Sequence, residues 1–441
     1  MSSDGYSKEK SLFLRFKIAS QPNCALFTGG RKINPYASKV NWIKAVILIS
    51  YSSLCEASCP LEIGLGGSGA EGYRRDSLRL FEVHQSNWQE IPQQIDPTDG
   101  AGGLVIAPKD YLKDPVKYPD RMQFFSVNPG PQIPPVAPPC RNKWGREIVG
   151  NSSTAWVFAC EEAKVLQTPI DYDPVKGVIS SKYYRYSFNP ENHILFQNIE
   201  ILQDNKWVSV AHDSNINFHL NIKNFFNLNL GPSAITSKLE DFRLGPLGLV
   251  GKVSFYLNLL FFKIKLSLIT DVYFYEKQVN VPMIMYAPRD LSKNLNQKSG
   301  IYYSWKSTHP FSRQNISDLT QQSFNFNSRD QQKCGLDYCN YQVSTSNLLN
   351  MQLKIPVPLV QRNFIPFWAS ASAENHKIAP AVEAGPDTQG LYFEVSSLPK
   401  GEHKWDFWMS LQSNQQELCP HKGTWGREWN RATSQSKNQR Q

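Results

Sequence analysis

Acid–base chemistry on a glycan needs two carboxyl groups, one kept protonated and the other ionised. The sequence offers pairs at Asp96/Asp99, Asp171/Asp173 and Glu240/Asp241, with Asp406 as a further single candidate. For each adjacent pair there is a plainer alternative, a turn or a solvated strand end, because Asp bonds its own backbone there. Asp96-x-x-Asp99-Gly100 and Asp171-x-Asp173 also present oxygen ligands to calcium, but neither runs on to the Glu that completes an acidic loop. Three of the eight histidines, His193, His212 and His219, share one segment without a common strand face, so surface or structural roles are expected of them. The chain carries no nucleophile elbow and no P-loop, and no dinucleotide fingerprint in the strand–turn–helix setting that gives it meaning. No catalytic residue, metal ligand or cofactor is therefore assigned.

Aromatic side chains are the remaining chemical lead. Tyr184, Tyr186, Tyr303, Trp305, Trp405 and Trp408, with Tyr183 and Tyr302 beside them, fall on or next to strand-like segments. Sugars stack their C–H faces on such rings, which makes these six the expected ligand-binding set. The alternative is that they pack a sandwich core, the commoner use of aromatics in sheets.

The segments that must position these residues read as strands. Tyr, Phe, Trp, Val, Ile and Thr are plentiful, and 29 Pro and 26 Gly interrupt the chain too often for long helices. Leu78–Gln94 reads as two short strands around a turn at His84–Asn87, and the stretch from Phe262 alternates apolar and polar residues, sending Lys263 and Lys265 to water. Residues 108–140, ending in PGPQIPPVAPPC, are expected to be a proline-rich connector without a central strand, since proline donates no ladder bond. The expected organisation is a small N-terminal β domain over 58–107, that connector, a main β-sandwich over 141–418 and a polar tail from 419. The fold class is all-β, a large antiparallel sandwich with a smaller N-terminal domain and few short helices. The tetrapeptide Trp-Gly-Arg-Glu occurs at 144–147 and 425–428 with unmatched flanks, which reads as coincidence.

Val40–Cys59 has the layout of an export signal. Lys39 and Lys44 precede an apolar run from Ala45 to Leu54, and the small-x-small residues Cys55-Glu56-Ala57 follow. Ten apolar residues are too few to span a bilayer, and no later run is longer, so no transmembrane span is expected. Cleavage is expected after Ala57, with Val40 as an alternative start and 1–39 as an upstream or leader region. The alternative is that Ala45–Leu54 is a buried strand of a cytoplasmic protein. Export leaves six cysteines, Cys59, Cys140, Cys160, Cys334, Cys339 and Cys419, an even set open to up to three disulfides whose pairing sequence does not rank. The first 57 residues hold eight Lys/Arg and three Asp/Glu, so their removal lowers the net charge from +9 to +4. The remaining basic residues are scattered singly, which argues against a nucleic-acid partner.

Leu80-Phe81-Glu82 followed by Trp88-Gln89-Glu90-Ile91-Pro92-Gln93-Gln94-Ile95-Asp96 resembles the opening of a group of poorly characterised secreted bacterial proteins, in which a short strand precedes W-x-x-I-P-x-Q-I-D. Leu239–Pro246 and Val272–Tyr275 are similar to later segments of that group, while the proline-rich insertion departs from it. The resemblance covers about a third of the chain and implies export and a β-rich fold; it carries over no catalytic residue. The expectation is an exported, non-catalytic binding or envelope-associated protein of the periplasm or cell surface, with polysaccharide or envelope components as partners. A carbohydrate-active hydrolase or lyase on a β-sandwich is the first alternative, and an outer-membrane-associated structural protein the second. Oligomeric state is left open.

Overall fold

The computed structural model describes residues 60–411 and 421–428, apart from 100–103, 107–110, 126–133, 136, 151–153, 165–166, 225–226, 260–261, 288–289, 298, 308–331, 335–337, 345–348, 363–365, 371–376, 380–381, 384–387 and 423. All of these belong to one compact unit, Cys55–Gln441. The expected upstream region and signal segment, Cys59, Cys419 and residues 429–441 lie outside the described residues.

Four sheets carry the fold, and each is positioned by two-residue alternation in its strands. Tyr184–Asn189, for example, buries Tyr184, Tyr186 and Phe188 and turns Arg185 outward. The outer N-terminal sheet has five strands, running in space from Thr424–Glu428 through Asn142–Val149, Thr154–Cys160 and Leu78–His84 to Asn87–Ile91. The inner N-terminal sheet has four, His421–Lys422, Pro60–Gly64, Arg121–Phe125 and Gln93–Asp96. Leu80, Ile91 and Val157 of the first sheet meet Leu61, Met122 and Phe124 of the second in one apolar core.

The C-terminal half is a larger sandwich of an eight-stranded inner sheet and a nine-stranded outer sheet. Phe274, Leu353 and Phe407 from the inner sheet interdigitate with Tyr186, Phe196 and Trp305 from the outer one. A third, smaller core joins the two inner sheets: Leu104 and Phe125 pack on Val250, Tyr273, Tyr275 and Trp408. The layers therefore stack as outer N-terminal, inner N-terminal, inner C-terminal and outer C-terminal sheet. Helix is confined to single turns such as Arg75–Ser77 and Val357–Val360 among the described residues. The all-β architecture with a large antiparallel sandwich is thus present.

Several boundaries differ from those read in the sequence. The proline-rich stretch 108–140 contains the strand Arg121–Phe125, which sits between Pro60–Gly64 and Gln93–Asp96 as an interior strand. Its five residues include no proline, so the ladder is intact; the prolines fall on either side. Strands Asn142–Val149 and Thr154–Cys160, expected in the main sandwich, complete the outer N-terminal sheet instead. The expected tail contributes His421–Lys422 and Thr424–Glu428 as edge strands. The two Trp-Gly-Arg-Glu copies lie on neighbouring antiparallel strands, with Trp425 opposite Ile148 and Glu428 opposite Arg146. Phe262–Tyr275 is one continuous strand; the side chains of Lys263 and Lys265 lie outside the described residues.

Of the six cysteines, Cys140 and Cys160 form a disulfide across 20 residues, closing the end of the proline-rich stretch. Cys339 is also disulfide-bonded, and its Cα partner in the ladder is Cys334, whose side chain is outside the described set.

Candidate functional site

One cluster of buried polar groups lies where the two inner sheets face one another. On the inner C-terminal sheet, alternation sends Val272, Phe274, Val279 and Phe407 into the sandwich and turns Asp271, Tyr273, Asn280 and Asp406 the other way. The inner N-terminal sheet answers with Glu62, Asp96, Arg121 and Gln123. Arg121 Nη1 lies 3.4 Å from Glu62 Oε1, Gln123 Nε2 donates to Glu62 Oε2 at 3.0 Å, and Tyr275 donates its hydroxyl to Gln123 Oε1 at 2.9 Å. Arg243 forms an ion pair with the fully buried Asp96, and its guanidinium stacks 4.4 Å from the Tyr111 ring centroid. That stack sits beside Gln94, which donates to Asp96 Oδ1 at 3.0 Å.

Two carboxyl groups here are held above the ordinary range. Burial pushes Asp406 up to about 6, with Lys354 working against the shift and the charge of Glu62 adding to it. Burial also raises Asp271, opposed by Lys252, the Leu104 N–H and Arg121, and reinforced by Asp96. Tyr111 is raised to about 12 by the same loss of water.

A second feature of this face is a row of amides. In register across three neighbouring strands stand Asn280, Trp408 and Gln352, with Gln278 one step along its strand. All four are at least nine-tenths buried. Gln278 Nε2 and Oε1, Asn280 Nδ2, Gln352 Oε1 and Trp408 Nε1 have no hydrogen-bond partner among the described residues. Beside them Tyr273, Tyr275 and Trp408 form a parallel ladder of rings, with successive centroids 6.1 and 6.2 Å apart and planes within 8° and 6°. Buried amides and indoles are ordinarily bonded, and each that is not costs about 1–3 kcal/mol. Several in one row, next to stacked rings and a protonatable carboxyl, leave this buried face with unused donors and acceptors.

The residues expected from the sequence are distributed unevenly over this arrangement. Asp96 and Asp406 both reach it. Asp99 is exposed, Asp173 caps a turn by accepting from Val175 N at 3.0 Å, and Asp241 accepts from its neighbour Phe242 N. Of the six aromatics, Trp408 alone stands on this face. Tyr184, Tyr186, Trp305 and Trp405 are core residues of the large sandwich and Tyr303 packs against them, so these five form no exposed strip. The reason is the area that rings remove from water. Tyr186, Tyr303 and Trp405 do border a cavity of about 30 Å³, lined otherwise by apolar groups such as Leu353, Leu391 and Phe407, which is too small for a sugar ring. The histidines serve locally: His193 Nδ1 accepts from Leu239 N, His212 pairs with Asp213, and His219 bonds Asn229. Sequence reasoning missed Gln278, Asn280, Gln352, Glu62 and Asp271; the signal for the first three was an amide at every second place in Gln278-Val-Asn280 and Asn350-Met-Gln352.

No family model and no curated protein matches this chain. Among solved structures, an alpha-mannosidase from Enterococcus faecalis V583 is similar with a TM-score of 0.37 and 10% identity, over 76% of this chain and 38% of that one. A protein in the glycosyl hydrolase family 38 from Enterococcus faecalis is similar with a TM-score of 0.35 and 8% identity, over 76% and 39%. This chain therefore spans less than two fifths of the length of each of these two structures.

Proposed function

We propose that the protein is exported and binds a polyhydroxylated ligand, a polysaccharide of the cell envelope, between its two inner sheets without turning it over. The observation that carries this is the row of Gln278, Asn280, Trp408 and Gln352, whose buried polar atoms lack partners among the described residues, beside a ladder of rings. Sugar hydroxyls both donate and accept, so they satisfy amides and an indole N–H at once, while their C–H faces lie on flat rings.

Gln352→Met and Gln278→Met separate binding from folding. In an apolar replacement of similar shape the uncompensated polar atom is gone, so the urea midpoint rises, by the equivalent of about 1–3 kcal/mol. Retention in affinity gels cast with soluble envelope polysaccharides falls at the same time. A wild-type protein that no polysaccharide retards, or variants retarded as strongly as wild type, would sink the assignment. The carbohydrate-active alternative draws on Asp406, a carboxyl pushed up to about 6 and thus suited to donate a proton. Reducing ends released in the same gels would transfer the assignment to it.

Export rests on the signal-like segment and on the Cys140–Cys160 disulfide, a bond that persists in oxidising compartments. N-terminal sequencing of the protein from its native cells is expected to begin at Ser58. A mature chain that retains residues 40–57 would overturn the compartment.

A further inference from the structure

The outward side of the outer N-terminal sheet is aromatic where a solvated sheet face would be polar. Phe81, Trp88, Trp156 and Phe158 stand there, opposite the face that Leu80, Ile91 and Val157 give to the core. Trp88 meets Phe158 edge-on at 5.5 Å and Trp156 at 6.4 Å, while Trp156 and Phe158 stack at 6.4 Å. Phe158 is fully buried and Trp156 is only 3% exposed, although both lie on the outermost layer. Something therefore covers them.

The cover is visible at its anchor points. Trp88 donates its indole N–H to the carbonyl of Ala137 at 2.7 Å. Pro134, Pro135, Pro138 and Pro139 are each part-buried, and the disulfide of Cys140 with Cys160 packs against the rings. A proline-dense segment has few N–H groups to leave unsatisfied and an extended backbone fixed in advance, so it loses little entropy on docking. Aromatic grooves use this property: rings hold the pyrrolidine faces, and an indole N–H takes a backbone carbonyl between them. The contact at Ala137, between one proline pair and the next, has that form.

We propose that this aromatic face is a polyproline-recognition surface and that Pro134, Pro135, Ala137, Pro138 and Pro139 are its tethered ligand, not a passive linker. The ligand class is a proline-rich peptide of the type Pro-Pro-x-x-Pro-Pro. The disulfide keeps the resident copy at high effective concentration, so the surface is occupied in cis.

The test uses the full chain with its disulfide intact. A fluorescein-labelled peptide with the sequence of residues 131–139 is titrated against wild type and against a variant with serine at positions 134, 135, 138 and 139. The variant is expected to bind the peptide at least roughly 100-fold more tightly than wild type, because the tethered competitor is weakened. A peptide with alanine in place of every proline is expected not to bind. Adding Trp88→Phe, which keeps a ring and removes the N–H, is expected to weaken binding roughly 2- to 12-fold. A variant with the wild-type circular dichroism spectrum that ignores the peptide, or an alanine peptide that binds equally well, would overturn the proposal. Should the four-serine variant not fold, Trp88→Phe alone decides. Faster amide exchange confined to residues around 137–141 supports the tethered ligand, and unchanged exchange there refutes it.

Discussion

At the scale of single residues, Asp406 is where folding and protonation are most directly linked. Burial is the main reason its carboxyl stands at about 6 in the folded protein, against 3.8 for the unperturbed group; the Glu62 charge adds to the effect and Lys354 reduces it. Between those two values the folded state keeps the proton and the unfolded state has lost it. Stability contributed by this group therefore falls as pH rises from about 4 to 6, and above 6 the full cost, on the order of 3 kcal/mol, is present. Glu90, whose partners Arg79 and Lys164 outweigh its burial and hold it low, acts in the opposite sense, losing its contribution as pH falls. The two are separated by comparing wild type with Asp406→Asn, which mimics the protonated side chain. In urea titrations the variant is expected to gain on wild type between pH 4.5 and pH 7.5. A difference that stays constant over that range would mean that this carboxyl titrates at its ordinary value.

At the scale of elements, what the sequence made legible was period, and what it hid was partnership. Alternation from Phe262 onward announced a strand, and a strand of 14 residues runs there. The pair Gln85-Ser86 at positive φ, 48° and 63°, turns Leu78–His84 onto Asn87–Ile91 as the run of residues suggested. Alternation, however, says that a side chain faces one side without saying what lies there. Trp405 and Trp408 are three residues apart on one strand, so they take opposite faces: the first enters the large core and the second the layer between sheets. Neither is a ring platform open to solvent, because an inner sheet of a four-layer stack has no free side. Proline density misled for a related reason. A ladder needs only five donors in a row, and Arg121–Phe125 supplies them inside a stretch whose average composition reads as linker. The amide row was hidden for the converse reason, because Gln and Asn are ordinary on a solvated face and become notable only when a second sheet closes over them.

At the scale of the whole molecule, the chain's distant parts are sewn together by its late strands. Pro60–Gly64 pairs in parallel with His421–Lys422, and Asn142–Val149 pairs with Thr424–Glu428, so residues after the large sandwich finish both N-terminal sheets. Parallel pairing at such a sequence distance closes a very long loop, and that entropy is repaid only if the strands it joins are already formed. The contact between inner sheets is partly polar, with Arg121, Glu62, Asp96 and Arg243 at its centre, and such contacts couple neighbouring layers less tightly than an apolar core does. A chain ending at Leu411 should therefore lose protection on one side only. Amide exchange is expected to quicken, by roughly tenfold or about 1.4 kcal/mol of local opening, in Pro60–Gly64 and Asn142–Val149, which become unpaired edges. Exchange in Asn192–Gln203 and Lys206–Asn221, interior strands of the outer C-terminal sheet, is expected to hold. Equal loss in both halves would mean that the four layers open as one cooperative body, and the space between the inner sheets would then admit a ligand only through global unfolding.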